Sequence, residues 1–591
     1  MTNSHRPRTG RGGLIAVAVA SVIAAYALYF PRADGPYFDD WSSFNSLSLE
    51  VRSNVLHYGR FPVHNPWVCG GLDLMTNPQN RVFSPFFLAD LALPPQWANL
   101  CALMLYGTVG FIGCFWLLMA LGCGRGTALI GSILFVNGSW FALHYAEGHI
   151  PYGAMQLVPL MMFLGTKLGS RRYLITLALA ECLFLLDGAI YMFIFTLFML
   201  ATMLTTGMIP LAELKAALQR HWELALVVAA AVFTASPKLW PVVANISARQ
   251  PEIDFYGMPL SLVAKALFYP FQTLNTPMAE HPPYYFHEYG CYLSALGLAL
   301  IVAVAARSWS FARIHVKYVI AALFWFWVGS GRLSALNPWH LEQWIPLLNN
   351  AHVQSRLFLF LFTFFVILVA KALNAVKSRT VFAVLGVLLV TESLVVRNYP
   401  MTERPPHFED LPQTALITST TVATTGEYAW TPQHYLRGNT GTAECYEPSF
   451  RPLQIKSANH PDYRGEVYPL DPGAGVARLQ SYTPGSIIIR YELTTPTRLE
   501  LNTNALFGWR VVSGNATVQG RGAELLVVEP QDLGGVIELQ YWPAAMPWLF
   551  VAFATGLALF TWLWRQAPRV TVQKDNAMPR NSAVQFNLAS E

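Results

Sequence analysis

Apolar runs long enough to cross a lipid bilayer recur along most of this sequence, and they fix the class of fold before any motif is considered. A helix rising about 1.5 Å per residue needs about 20 apolar residues to cross a ~30 Å hydrocarbon core. Runs of that order lie near 13–30, 97–121, 127–144, 152–166, 173–187, 189–206, 223–241, 290–306, 317–329, 353–373, 380–396 and 546–564. The expectation is a mainly α, polytopic transmembrane bundle of about twelve spans. Only 12% of the 591 residues are charged, against about a quarter in a soluble chain, and the mean hydropathy is +0.36.

The first run follows Arg6, Arg8 and Arg11 and precedes no small-residue cleavage site, so it reads as a retained span. Basic residues then supply an independent check. Arg125, Lys167/Arg171/Arg172, Lys215/Arg220, Arg307/Arg313/Lys317 and Lys371/Lys377/Arg379 fall in alternate loops, with Arg565, Arg569, Lys574 and Arg580 on the tail. The positive-inside rule puts these loops and both termini in the cytoplasm. The same clustering, at a net charge of only +5, reflects membrane orientation and gives no nucleic-acid footprint.

Segments 31–96, 242–289 and 397–545, with a shorter one at 330–352, are then external. From about Gly475 the last long segment alternates in strand fashion, as in Ser486-Ile-Ile-Ile-Arg-Tyr-Glu-Leu493, with turn signals such as Ser513-Gly-Asn515 between strands. This predicts residues 1–396 as the membrane domain and a small external β-sandwich-like module within 397–545. An anchor at 546–566 and a disordered cytoplasmic tail at 567–591 complete the chain. Seven cysteines show neither a CxxC pair nor metal-ligand spacing; Cys69 and Cys445 both fall in external segments, where a disulfide is allowed. No Gly-rich phosphate loop, HExxH or nucleophile elbow is present.

The first external loop carries the chemistry. Adjacent Asp39 and Asp40 repel each other and are costly to desolvate at a membrane surface. An amphipathic stretch from Ser43 to His57 follows, with apolar Leu47, Leu49, Val51, Val55 and Leu56, and predicts a helix lying on the bilayer. Then comes Gly59-Arg-Phe-Pro-Val-His-Asn-Pro-Trp67, Cys69-Gly-Gly71 and Thr76-Asn-Pro-Gln-Asn-Arg81.

In that order, these motifs resemble the first external loop of the YfhO-like family of bacterial membrane proteins, within the GT-C superfamily of glycosyltransferases that use polyprenyl-phosphate sugars. Glu147-Gly-His149 with Gln156-Leu-Val-Pro159, His287-Glu-Tyr-Gly290, Val353-Gln-Ser-Arg356, Phe507-Gly-Trp509 and Tyr541-Trp-Pro543 continue the similarity along most of the chain. Where relatives carry a Gly-His-Pro-Gln-like turn, this chain has Asp187-Gly-Ala-Ile-Tyr191.

The resemblance implies an enzyme of the bacterial inner membrane. It would move a sugar from a polyprenyl-phosphate donor to a cell-envelope glycan or glycolipid on the external face. Asp39 would be the general base on the acceptor hydroxyl, with Asp40 positioning it or a divalent cation. The blander account of the pair is a solvated turn capping the next helix. Arg356, and more weakly Arg332 and Lys238, are candidates for the donor phosphate; the alternative for an interfacial arginine is snorkelling. Glu147 and His149 in a short external hairpin are candidates for the sugar, the phosphate or a cation, or else simply exposed; His287 and Glu288 at a span end are candidates for donor or acceptor hydroxyls, or else a helix N-cap on a solvated face. Asn77, Gln79, Asn80 and Arg81 line a sugar pocket in this reading and form turns in the other. Two rival functions remain: a transporter or flippase of lipid-linked glycans, and a non-catalytic envelope scaffold.

Overall fold

A computed structural model describes residues 11–26, 40–244, 258–274, 278, 285–331, 336–337, 353–400, 420–421, 441–442, 454–456, 458, 460–519 and 524–568. Helices lead: α1 (Arg11–Tyr26), α2 (Asp40–Leu56), α3 (Phe87–Ala92), α4 (Pro95–Ala120), α5 (Arg125–Val136), α6 (Ser139–Glu147), α7 (Val158–Gly165), α8 (Arg171–Leu186) and α9 (Ile190–Thr205). They continue with α10 (Leu211–Gln219), α11 (His221–Ala244), α12 (Leu260–Phe268), α13 (Phe286–Tyr289), α14 (Ala295–Arg307), α15 (Trp309–Gly329), α16 (Phe358–Asn374), α17 (Arg379–Asn398) and α18 (Met546–Gln566).

Among the described residues, seven helical stretches are long and apolar enough to span a membrane: Pro95–Ala120, Arg125–Glu147, His221–Ala244, Trp309–Gly329, Gln354–Asn374, Arg379–Asn398 and Met546–Gln566. Four shorter apolar helices add to them, at Gly12–Tyr26, Ile150–Gly165, Met192–Thr205 and Ala295–Arg307. The chain is thus a mainly helical, membrane-embedded protein. Gln354–Asn374 is the central stave, with 89% of its apolar window buried, whereas Arg379–Asn398, at 17%, lies at the edge. A Cβ at Gly138 would come within 2.5 Å of the Phe362 ring, so glycine lets the α5–α6 junction pack directly on α16.

A separate β region precedes α18. Before it come a two-residue hairpin, β1 (His64–Asn65) with β2 (Leu72–Asp73), and a parallel bridge, β3 (Thr420–Thr421) with β4 (Gly441–Thr442). The region itself comprises β5 (Val467–Pro469), β6 (Gly475–Thr483), β7 (Ser486–Leu493), β8 (Leu499–Asn504), β9 (Trp509–Ser513), β10 (Ala516–Gln519), β11 (Leu525–Pro530) and β12 (Gly534–Tyr541). They form two antiparallel four-stranded sheets, ordered β10-β11-β8-β5 and β6-β7-β12-β9. Ile487, Ile489, Leu501, Val528, Ile537 and Leu539 of the two sheets share one apolar cluster, as strand alternation requires.

The same cluster takes in Leu49, Val51, Trp67, Cys69 and Leu74 of the first loop, so loop and β region are one packed unit. Asn504 Nδ2 donates to the carbonyls of Cys69 (2.7 Å) and Gly71 (2.9 Å), and Thr503 Oγ1 to that of Gly70 (2.8 Å). His64 lies against the rings of Trp509 and Tyr541 and accepts from the Gly485 amide.

This corrects the reading of α2 as a helix lying on the bilayer. Its apolar Leu49 and Val51 face protein, and its polar side is buried too: Asn45, Ser46, Ser48, Glu50, Ser53 and Asn54 are all inaccessible. Asn99 donates to Asn45, and Asn54 donates to its own helix at Glu50. A helix floating in the interface would leave such groups to water. Cys69 is disulfide-bonded and the other described cysteines are free; the expected partner Cys445 lies outside the described residues, as does the tail from 569.

Candidate functional site

The loop between α6 and α7 brings the site together. α6 ends at Gly148, which takes a left-handed conformation (φ +103°). A Cβ there would stand 2.2 Å from the Trp41 amide nitrogen, so only glycine lets the start of α2 come this close. Trp41 locks the contact: its indole N–H donates to the carbonyls of Tyr145 (2.9 Å) and Ala146 (3.2 Å). Asp40, one residue earlier, is thereby delivered to His149, with 2.7 Å between Oδ2 and Nε2.

His149 is the hub. Its Nδ1 lies 2.7 Å from Nδ1 of His144, one turn back on α6, and its Nε2 lies 3.7 Å from Oε1 of Glu288 on α13. Glu288 is held by Arg356, whose Nε donates to Oε2 (2.7 Å) and whose terminal nitrogen donates to Oε1 (2.5 Å). The neighbouring Ser355 hydroxyl donates to the Glu288 carbonyl at 3.0 Å. The Arg356 guanidinium also lies over Tyr152, 5.3 Å from its centroid. At the rim His287 is 3.8 Å from Glu147 and stacks on Tyr285.

Electrostatics follow from this packing. Burial works to raise the Glu288 carboxyl, but Arg356, then His149 and His287, hold it well below the usual carboxylate range. Burial pushes His287 down to about 4 against the pull of Glu288, so this ring is neutral at neutral pH. The cluster therefore gathers the carboxyl groups of Asp40, Glu288 and Glu147 about two histidines, with the Arg356 guanidinium paired to Glu288. One donor atom from each of His144, His149 and Glu288 lies within 4.8 Å of the others.

A second polar centre lies beside it. Arg81 forms a two-point ion pair with Asp90, Nε to Oδ2 at 2.7 Å, and Ser84 donates to Asp187 at 2.8 Å. Arg81, Asp90 and Asp187, with Ser48, Gln79 and Asn99, line a small crevice that also touches Ile150 and Pro151, next to His149. The Asp187-Gly188 turn packs on the backbone of Gln79, where a Cβ at Gly188 would be 2.8 Å from its carbonyl.

Of the residues singled out in the sequence, Asp40, Glu147, His149, His287, Glu288 and Arg356 meet in one cluster. Asp39 and Arg332 lie outside the described residues. Lys238 is buried away from it and donates to the carbonyls of Asn77 (2.8 Å) and Asn80. Asn77 accepts from the Gln79 amide, a turn-forming contact. Arg81 is engaged with Asp90, and Gln79 borders the second crevice. His144 and Tyr152 escaped sequence reasoning. His144 lies at the end of an apolar run, and its five-residue spacing to His149 was the available signal. The chain matches no family model, no curated protein and no solved structure.

Proposed function

We propose that this protein is a membrane glycosyltransferase that moves a sugar from a polyprenyl-phosphate donor to a hydroxyl of a cell-envelope glycan or glycolipid. The observation that carries the reading is the meeting of Asp40, His149, Glu288 and Arg356 from four separate segments. The reaction needs such a set. The acceptor oxygen attacks the anomeric carbon, its proton passes to a carboxylate, and the bond to phosphate breaks with its electron pair leaving on the phosphate. In this reading Asp39 and Asp40 supply the base, and His149 holds Asp40 in place. Arg356 balances the phosphate charge from its seat on Glu288. The YfhO-like resemblance, twelve spans, cytoplasmic termini and an external site in the bacterial inner membrane belong to the same proposal.

The test is release of polyprenyl phosphate from a panel of short-chain polyprenyl-phosphate hexoses and pentoses by the full chain in nanodiscs. Asp39→Asn and Asp40→Asn are each expected to slow release by about 100-fold or more. Undiminished release in both variants removes the base assignment, and wild-type protein inert to the whole panel removes the reading. One observation favours the carrier alternative. Glu181 is buried in α8 and accepts from Thr196 of α9, an acidic group inside the apolar bundle. A carrier would move lipid-linked glycan between leaflets of a vesicle without releasing phosphate.

A further inference from the structure

The proton arrangement at the hub leaves a buried nitrogen unsatisfied in one tautomer and two facing lone pairs in the other. When Asp40 is ionised it only accepts, so the 2.7 Å contact to His149 Nε2 puts a proton on that nitrogen. In a neutral ring the Nδ1 of His149 is then a lone pair, and it faces Nδ1 of His144 at 2.7 Å. A proton on His144 Nδ1 would satisfy that contact but leave His144 Nε2 as a bare lone pair. That atom is buried and has no hydrogen-bond donor, and the residue is 0% exposed. A proton on Nε2 suits its surroundings better. The ring is packed between Trp140 (centroids 4.1 Å apart) and Tyr152 (5.1 Å), whose π-faces accept an N–H. With that proton placement two Nδ1 lone pairs converge at 2.7 Å, an arrangement that a cation between them satisfies.

We propose that His144, His149 and Glu288, whose donor atoms lie within 4.8 Å of one another, bind a divalent first-row transition metal ion, with zinc the best match. Two imidazoles and one carboxylate, with a fourth position left open, suit zinc and disfavour magnesium and calcium, which take oxygen ligands. Bonds of about 2.05 Å at a tetrahedral angle need nitrogens ~3.3 Å apart, so the two rings open by about 0.6 Å.

The surrounding groups are those a bound metal requires. His149 gives its other N–H to Asp40, the carboxylate–histidine–metal arrangement that fixes ring orientation and strengthens the ligand. Glu288 is fixed by Arg356, and each of its oxygens keeps a second lone pair for a metal. Asp40, Glu288 and Glu147 outnumber Arg356, so the neighbourhood tolerates added positive charge. The site stands on donor geometry alone and holds whether or not the chain transfers sugar.

The experiment strips full-length protein in detergent with EDTA, reloads it with zinc under dialysis, and counts metal by mass spectrometry. Cobalt serves as the optical probe of coordination. Wild type is expected to hold about one zinc per chain and to give the visible bands of four-coordinate cobalt. His144→Gln and His149→Gln should retain less than about a tenth of that zinc at the same free concentration, and Asp40→Asn should bind 10- to 100-fold more weakly. His221→Gln, at an exposed histidine outside the cluster, should bind as wild type. Asp40 is the most accessible member, so its variant keeps the test open if a buried histidine variant fails to fold. Absence of stoichiometric zinc in wild type, or wild-type binding by both His149→Gln and Asp40→Asn, overturns the site.

Discussion

Single residues in this protein carry constraints that composition hides. Glu50 is 2% exposed, and burial pushes its carboxyl from 4.5 up to about 8, with a hydrogen bond to Asn65 only partly opposing. The native state thus keeps a proton that the unfolded chain releases above 4.5, so this residue's contribution falls as pH rises from 4.5 to about 8. Glu50→Gln, neutral at every pH, is expected to raise the melting temperature at pH 8–9, by the equivalent of roughly 1–3 kcal/mol, and to leave it little changed at pH 5. A variant that melts earlier than wild type at pH 9 would show that burial does not penalise the ionised Glu50 carboxylate. Gly148 offers a second case. Gly148→Ala meets both a left-handed backbone and the Trp41 amide, whereas Gly59→Ala meets only a positive φ with nothing within 4 Å. The first should cost about 2–4 kcal/mol and displace Asp40, the second about 1 kcal/mol; paired thermal melts decide it.

Among elements, the buried ion pair between α13 and the segment entering α16 sets the geometry of the cluster. Glu288→Gln or Arg356→Met alone leaves one charge buried without its partner, at a cost of about 3–5 kcal/mol. The double variant should cost clearly less than the two single costs combined, since no orphan charge remains. Additive losses in a double-mutant cycle would mean that each residue acts through other partners. The elements themselves were legible in the sequence. Each apolar run expected to span overlaps helix within the described residues, because hydropathy is a local property, but only seven stretches there are long and apolar enough to cross a membrane. The setting of α2 was not legible: its stripe of Leu49 and Val51 is the same whether it faces lipid or a β-sheet. Nor does periodicity distinguish His144 from an ordinary core residue.

At the scale of the whole molecule, the two largest apolar cores among the described residues set the organisation. One lies among the helices; the other joins both sheets to the loop between α2 and α3. Asn504→Ala deletes two buried hydrogen bonds to Cys69 and Gly71 and strands their carbonyls, at an expected cost of about 1–3 kcal/mol. Amide exchange should quicken across His64–Asp73, far from the substitution in sequence; unchanged protection there would uncouple loop from β region. Hydropathy and periodicity in the chain determined that helices form, where they lie, and that a strand-rich region precedes the last of them, because each depends on neighbours within a few turns. Residues 40, 144, 149, 288 and 356 are dispersed over 317 positions of sequence, and no local pattern announces their meeting. That was decided by packing: a glycine without a side chain at 148, an indole reaching two carbonyls, and a guanidinium gripping one carboxylate.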